Sequence, residues 1–186
     1  STWVAAIMKC ANLKVKSLVN VFDEASTRSR TSFEMAAKVL GADTTSIAIA
    51  QSSVSKGESL YDTAKTIQAM RADLVILRHP SSGSAKFLAD ILDPGVINAG
   101  DGQHEHPTQA LLDIFTMEEK LGSLEGKKIV IVGDILHSRV ARSNAWGLQK
   151  LGVDVTLVGP PTLLPVDMDG LGVKTTYDLN EIGRAH

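Results

Sequence analysis

Short runs of apolar and β-branched residues alternate along the chain with segments in which apolar residues recur every three or four positions. Four such runs in the first hundred residues are typical of buried parallel strands. They are SLVNVF at 17–22, SIAIA at 46–50, DLVIL at 73–77 and GVINA at 95–99. The intervening segments predict helices, and this alternation predicts an α/β fold in which helices flank a parallel sheet.

The predicted helices carry their apolar residues on one face. The first has Phe33, Ala36, Ala37 and Leu40 at positions i, i+3, i+4 and i+7, and Gly41 ends it. Similar spacing predicts two further helices, whose apolar residues are Leu60, Ala64 and Ile67 in one and Phe87, Leu88 and Ile91 in the other.

A fourth predicted helix begins at Pro107, since proline is favoured as the first helical residue, and runs to Leu121. The segment GSLEGKK then interrupts the pattern, so we predict a first domain over residues 1–122 and a second over residues 123–186. In the second, KIVIVGD, a helix over 140–151 and VDVTLVG form a βαβ unit. Such a unit usually opens a Rossmann-like sheet, and only the strand-like VKTTY follows, so we expect this domain to be truncated.

Composition narrows the classes of protein that remain. Of 186 residues, 44% are hydrophobic and 22% charged, which is typical of a soluble globular protein. The net charge of -2 gives no general electrostatic reason to expect nucleic acid or an anionic membrane as partner. Cys10 is the single cysteine, which favours the reducing cytoplasm. The chain begins at Ser1 and ends in IGRAH, so we expect that either end is cut and give the absence of a signal peptide little weight.

Polar side chains follow each of the four predicted strands. Ligands of open parallel sheets bind beyond the carboxyl ends of the strands, so these positions are the first candidates for a functional site. The successive segments are STRSR at 26–30, SSVSKGES at 52–59, the residue Arg78 with His79, and GDGQHEHPTQ at 100–109.

The segment STRSRTS at 26–32 suits a phosphate group. A helix N-terminus offers unpaired N–H groups and a partial positive charge, hydroxyls add donors, and Arg28 adds a planar fork that matches phosphate oxygens. The alternative is a capping box, because Thr31 and Glu34 have the Thr-x-x-Glu spacing. A capping box leaves Arg28 beside Ser26 and Thr27 without an explanation.

The other candidates each allow two interpretations on spacing alone. His106 before Pro107 is either a helix cap or a catalytic group, and Gln109 lies about one helical turn further on. Arg78 is either a second cation for the same anion or a solvated loop residue. Lys56 is either a surface charge or a ligand contact.

Five segments together are similar to the catalytic chain of the aspartate carbamoyltransferase family, in the same order and over nearly all of residues 17–179. They are FDEASTRSRTSFE, SVSKGESLYDTAKT, LVILRHPSSGSA, NAGDGQHEHPTQALLDIFT and GDILHSRVARSNAWGL. The Ser-Thr-Arg and His-Pro-x-Gln segments are shared with the sister ornithine carbamoyltransferases. The Lys-Gly-Glu loop and GDILHSRVARSN resemble the aspartate branch.

The resemblance implies transfer of the carbamoyl group from carbamoyl phosphate to the amino group of L-aspartate, which gives N-carbamoyl-L-aspartate and phosphate in pyrimidine biosynthesis. It implies no metal, no cofactor and no covalent intermediate. The expected partners are the two small substrates and further copies of this chain in a homotrimer, with no nucleic acid and no membrane. An ornithine carbamoyltransferase and a non-catalytic carbamoyl-phosphate-binding homologue or isolated domain remain as alternatives.

The resemblance also assigns residues. The phosphate would be held by Ser26, Thr27, Arg28, Ser29 and Arg78. The carbamoyl oxygen would receive hydrogen bonds from the catalytic residues His106, Arg78 and Ser29, and Gln109 would hold the carbamoyl nitrogen. Arg139 and Lys56 would contact aspartate. Ser53 and Lys56 would reach the site from a neighbouring subunit, with Ser52 as an alternative to Ser53.

Several positions depart from the family pattern. Ser29 stands where threonine is commoner, which keeps the hydroxyl, and Asp23 replaces a common aromatic and puts an acid near the phosphate site. The usual amino-terminal helix is short or missing, and most of the family's aspartate contacts belong to a later part of the second domain. We therefore expect this chain to bind carbamoyl phosphate and to turn over poorly or not at all. A nucleotide-dependent oxidoreductase is disfavoured, since VGDILHS lacks the Gly-x-Gly-x-x-Gly turn.

Overall fold

The computed structural model describes residues 13–23, 26–48, 59–165, 170 and 172–182. The chain divides into two compact units, residues 1–102 and residues 103–186. The domain boundary that we predicted between residues 122 and 123 stays a prediction.

Within the described residues, the first unit contains a sheet of four parallel strands in the order β2-β1-β3-β4. The strands are β1 (Ser17–Phe22), β2 (Asp43–Ala48), β3 (Leu74–His79) and β4 (Gly95–Asp101). Each predicted run overlaps one strand, which confirms the α/β fold, and residues 49 and 50 of the second run lie outside the described residues. The bounds differ most for β2, which begins three residues before the predicted run.

In the described part of this unit, three helices cover the sheet: α1 (Thr27–Val39), α2 (Leu60–Ala69) and α3 (Ser84–Ile91). Since successive strand residues point to opposite faces, Val19 and Val21 of β1 pack in the cluster that contains residues of α2 and α3. Leu18 and Phe22 pack in the cluster that contains Ala37 of α1. Strand β1 is therefore buried on both faces of the sheet.

Two residues of the predicted apolar stripes do not face the core. Phe87 of α3 is 44% exposed, because the buried face is formed by Ala85 and Leu88. Residues adjacent in a helix are turned by about 100° from each other, so Phe87 cannot share the direction of Leu88. Ala36 of α1 is exposed and Ala37 is buried for the same reason.

The second unit begins with α4 (Pro107–Leu121) and continues with β5 (Lys128–Val132), α5 (Arg139–Lys150), β6 (Asp154–Val158) and β7 (Lys174–Thr176). Within its described residues the three strands form a parallel sheet in the order β5-β6-β7. Two short 3-10 helices lie at Pro161–Leu163 and Leu179–Ile182. The predicted βαβ unit is confirmed, and α4 has the predicted bounds.

Helices α4 and α5 pack in one core with one face of this sheet, through Ile114, Leu148 and Leu157 among others. Their approach is close at Gly147, where an added Cβ would lie 2.7 Å from Ile114 Cδ1. Glycine at this position therefore allows the two helices to touch. No helix in the described part of the chain is long and apolar enough to cross a bilayer.

Gly102, directly after β4, has a backbone conformation and surroundings that exclude a side chain. Its φ is +54°, and a Cβ would lie 2.6 Å from Ser82 Oγ and 2.7 Å from the Pro80 carbonyl oxygen. Gly83 is a matched control in the same unit, because its φ is +83° but nothing lies within 4 Å of its Cβ position.

We expect both Gly83→Ala and Gly102→Ala to lose about 1–2 kcal/mol from the left-handed backbone. Gly102→Ala is expected to lose roughly 1–3 kcal/mol more, because the backbone must shift to relieve the overlap. Equilibrium urea unfolding of the two variants and the parent measures the difference. Equal losses in the two variants would contradict the crowding around Gly102.

Candidate active site

The N-terminal turn of α1 carries four of the predicted phosphate-binding residues. Ser26 is the N-cap and the helix begins at Thr27, but the Ser26 side chain makes no capping hydrogen bond. The first N–H groups of a helix have no partner inside the helix, and the helix dipole makes this end partly positive. Arg28 is exposed, while Ser26 and Ser29 are half-buried. This turn therefore offers donors and positive charge to an anion.

The capping box that we considered as an alternative is wrong. Because α1 begins at Thr27, Thr31 already lies inside the helix and cannot be its N-cap. Glu34 instead accepts a hydrogen bond from the Ser46 hydroxyl and lies 3.5 Å from Arg30 Nε. Arg30 thus has a carboxylate partner, whereas Arg28 forms no ion pair with any residue in the described ranges.

Arg78 lies at the same edge of the sheet as the start of α1. In the parallel pairing of β1 with β3, Arg78 is opposite Phe22, the last residue of β1 and four residues before the N-cap of α1. Its Nη1 donates to the carbonyl oxygen of Ala99, at 3.3 Å. The carboxyl ends of neighbouring strands therefore bring Arg78 and residues 26–29 to one edge of the first unit.

Asp23, which we expected to put an acid near the phosphate site, is engaged with His79. Asp23 Oδ2 lies 3.5 Å from His79 Nε2, and both side chains are largely buried. The backbone N–H of Ser81 donates to His79 Nδ1 at 3.0 Å, so the ring proton is on Nε2 and can be donated to Asp23. Nothing in the local sequence indicates this pair, because Asp23 and His79 lie 56 positions apart.

His106 and Gln109 lie in the N-terminal turn of α4, in the second unit. His106 is the N-cap, is 9% exposed, and has its Nδ1 3.4 Å from Thr108 Oγ1. Its backbone N–H donates to Ser143 Oγ of α5 at 2.9 Å, and the Ser143 hydroxyl donates to the carboxylate of Glu105. The residues that enter α4 are therefore held by α5.

Asp113 and Asn144 were not among the predicted site residues. Asp113 contacts Gln109 directly, and Asn144 contacts it through Asp113. Gln109 Nε2 donates to Asp113 Oδ1 at 2.8 Å, and Asn144 Nδ2 of α5 donates to Asp113 Oδ2 at 2.7 Å. The i, i+4 spacing of Gln109 and Asp113 on a predicted helix could have indicated the first contact. Nothing in the sequence indicates the second, which joins residues 31 positions apart.

Arg139 is the first residue of α5 and follows the N-cap Ser138, whose hydroxyl oxygen accepts from the Ala141 N–H at 3.1 Å. Beside this helix end lies a cavity of about 450 Å³ within the second unit. Its lining combines apolar residues of β5 with polar side chains. Its polar lining residues include Asp113, Asp134, Ser138 and Asn144.

Asp134 lies two residues after β5 and accepts hydrogen bonds within the turn that leads to Ser138. The backbone N–H of His137 donates to its carboxylate at 3.1 Å, and the His137 ring lies 3.0 Å away. The backbone hydrogen bond, followed by the hydrogen bond and charge of the ring, lowers the pKa of Asp134 below its ordinary value. The folded turn therefore favours the ionised form of this carboxyl group.

Ser53 and Lys56, together with the alternative Ser52, lie outside the described residues. Among those that are described, no group of three or more His, Cys, Asp or Glu side chains is arranged to hold a metal ion. The predicted residues thus fall into two sets. Residues 26–29 and Arg78 belong to the first unit, and His106, Gln109 and Arg139 belong to the second.

Asp134 gives a prediction about pH. Because its folded-state pKa is lowered, the stability that its ionised form provides is present at neutral pH and is lost as pH falls through that pKa. Asp134→Asn removes the charge at every pH. We expect the free energy of unfolding of the parent to exceed that of Asp134→Asn at neutral pH and the difference to shrink on acidification. A difference that stays constant over this range would contradict the assignment.

The chain is similar to proteins of a known family. The family model described as "Aspartate/ornithine carbamoyltransferase, carbamoyl-P binding domain" matches residues 4–119. The aspartate carbamoyltransferase catalytic subunit of Desulfitobacterium hafniense (strain DSM 10664 / DCB-2) is 65% identical over 176 residues, which are 95% of this chain and 56% of that protein. The catalytic subunit of Moorella thermoacetica is 59% identical over 175 residues, 94% of this chain and 57% of that protein. The chain thus spans little more than half the length of these curated relatives.

Solved structures agree with the fold. Aspartate transcarbamoylase from Trypanosoma cruzi in complex with carbamoyl phosphate and aspartate superposes with a TM-score of 0.82 at 28% identity, over 97% of this chain and 67% of that chain. The catalytic subunit of M. Jannaschii aspartate transcarbamoylase has a TM-score of 0.78 at 36% identity, over 97% of this chain and 66% of that chain.

Proposed function

Because the chain belongs to the aspartate/ornithine carbamoyltransferase family, we propose that the protein transfers the carbamoyl group of carbamoyl phosphate to the amino group of L-aspartate. The products are N-carbamoyl-L-aspartate and phosphate. The amine nitrogen forms a bond to the carbamoyl carbon and loses a proton, while the bond from that carbon to the phosphate oxygen breaks. The relatives named above are aspartate enzymes, which supports the aspartate branch over ornithine.

The observation that carries this proposal is the N-terminal turn of α1. It combines an N-cap hydroxyl that is not used for capping, unpaired helix N–H groups and an arginine without a carboxylate partner in the described residues. Ser26, Thr27, Arg28 and Ser29 would bind the phosphate group, helped by Arg78 from the end of β3. Hydrogen bonds to a charged group contribute roughly 1.5–3 kcal/mol each, so a few of them suffice for specific binding.

His106 and Gln109 would act on the carbamoyl group. Since Nδ1 of His106 lies 3.4 Å from Thr108 Oγ1, Nε2 would be the ring nitrogen that donates to the carbamoyl oxygen, where negative charge grows as the amine attacks. Arg78 and Ser29 would donate to the same oxygen. Since the reaction needs no group to be stored on the protein, the remaining acceleration would come from orientation of two small substrates, for which about 7–11 kcal/mol is available.

The aspartate contacts and the assembly are the further parts of this proposal. Arg139 at the start of α5 and Lys56 would bind carboxylates of aspartate. Ser53, or Ser52 in its place, would enter the site with Lys56 from a neighbouring copy, so the working form would be a homotrimer in the cytoplasm. The support for these statements is the motif resemblance and the family membership.

The phosphate assignment predicts different effects for two arginines on the same turn. Arg28→Ala is expected to weaken binding of phosphonoacetamide, a stable analogue of carbamoyl phosphate, by roughly 10- to 150-fold, as the loss of one charge-assisted hydrogen bond requires. Arg30→Ala is the matched control, because Arg30 pairs with Glu34. Calorimetric titration measures both. Equal affinities of the parent and Arg28→Ala would contradict the assignment of phosphate binding to this turn.

The reaction itself predicts a large effect at His106. In an assay for carbamoyl aspartate, His106→Ala is expected to reduce kcat by about 100- to 1000-fold relative to the parent, since it removes a donor to the developing oxyanion. Turnover of His106→Ala equal to that of the parent would contradict this role of His106.

A further inference from the structure

The orientation of the Gln109 side chain is controlled by two residues that would not touch the substrate. We propose that Asp113 and Asn144 are positioning residues that turn the Gln109 carbonyl oxygen toward the carbamoyl nitrogen, and that they make the site selective for a neutral carboxamide. This inference rests on the proposed function for the identity of the ligand. The orientation of Gln109 by Asp113 and Asn144 is a property of the protein without any ligand.

The orientation of the Gln109 amide follows from the chemistry of its partner Asp113. A carboxylate only accepts hydrogen bonds, so Gln109 must present its Nε2 group to Asp113 Oδ1, at 2.8 Å. The amide is planar, and its Oε1 atom therefore points away from Asp113. A side-chain amide without such a partner could turn over and offer either its donor or its acceptor.

Asn144 holds the carboxylate in place from the other helix. Its Nδ2 donates to Asp113 Oδ2 at 2.7 Å, so each carboxylate oxygen has one amide donor. Asn144 is 8% exposed and its Oδ1 has no hydrogen-bond partner in the described part of the chain. A buried acceptor without a partner is unfavourable, so packing alone does not explain an asparagine among Ala141, Ala145 and Leu148. The bond to Asp113 does explain it.

The packing of the two helices makes this arrangement rigid. Gly147 lies one turn after Asn144 and lets α5 approach Ile114, the residue after Asp113. Ser143, beside Asn144, binds the backbone of His106. Asp113 is therefore held within a part of α4 that α5 contacts at both ends.

The fixed acceptor predicts which ligands are favoured. A carbamoyl or carboxamide nitrogen carries two N–H donors, one of which can bind Gln109 Oε1. A methyl ketone of the same shape has no donor there, and a carboxylate would place a negative oxygen against Oε1. The hydrogen-bonded residues Asn144, Asp113 and Gln109 would thus favour ligands that carry an amide group at the end distant from the phosphate.

The test compares phosphonoacetamide with 2-oxopropylphosphonate, in which a methyl group replaces the amide nitrogen. We expect the parent to prefer the amide by about 2- to 12-fold, the range that one neutral hydrogen bond provides. Asp113→Leu is expected to bring this ratio to about one, and Asn144→Leu to lower it partly, because one anchor of the carboxylate remains. Glu119→Leu, which removes an exposed acid from the same helix, is the control and should keep the parent ratio.

A second measurement needs no ligand and covers a variant that binds poorly. Hydrogen exchange of the Gln109 side-chain amide, assigned by the loss of its NMR signals in Gln109→Met, is expected to be slow in the parent. It should accelerate in Asn144→Leu and more strongly in Asp113→Leu. Circular dichroism identifies any variant that does not fold.

The outcomes separate this inference from the proposed function. Parent protein that binds neither phosphonate refutes the proposed function, and the exchange measurement still tests the orientation of Gln109. Binding with an amide preference that folded Asp113→Leu retains, or exchange that neither variant accelerates, would overturn the role of Asp113 and Asn144. A parent that binds both phosphonates equally would overturn the selectivity.

Discussion

The pairing of β1 with β3 is the constraint on which the candidate phosphate-binding edge of the first unit depends. Parallel strands end at the same edge of a sheet, and the register that puts Phe22 opposite Arg78 fixes where the chain leaves the sheet to enter α1. The register itself is set by burial on both faces, because a slip of one residue would exchange the side chains that face α1 with those that face α2 and α3. The core of the first unit thus determines the position of its cationic edge.

In the second unit the candidate residues are positioned by contacts between two helices. His106 and Gln109 lie at the start of a helix, and a helix start frays unless its groups have partners. Here the partners come from α5, where adjacent residues Ser143 and Asn144 bind the entry to α4 and its second turn. Loss of packing between α4 and α5 would therefore change the positions of His106 and Gln109 together.

The sequence predicted those features that depend on residues near one another in the chain. The bounds of α4 followed from Pro107 at its start and the glycine after Leu121, and β1 followed from a short apolar run between polar residues. The start of β2 did not follow, since Asp43, Thr44 and Thr45 are polar. In the described sheet β2 is an edge strand that pairs through its backbone with β1, and an edge strand does not require apolar side chains on every position. The pairs Asp23 with His79 and Asp113 with Asn144 join distant parts of the chain, and no local pattern indicates them.

The two adjacent contacts from α5 also enlarge the part of the molecule on which chemistry would depend. Neighbouring residues on a helix point in directions about 100° apart, so Ser143 and Asn144 can grip two separate places on α4 while a single backbone segment supports both. Substitutions on α5 that touch no substrate would then resemble active-site defects in their kinetics. Natural variation at these positions is accordingly expected to be coupled in pairs, Glu105 with Ser143 and Asp113 with Asn144.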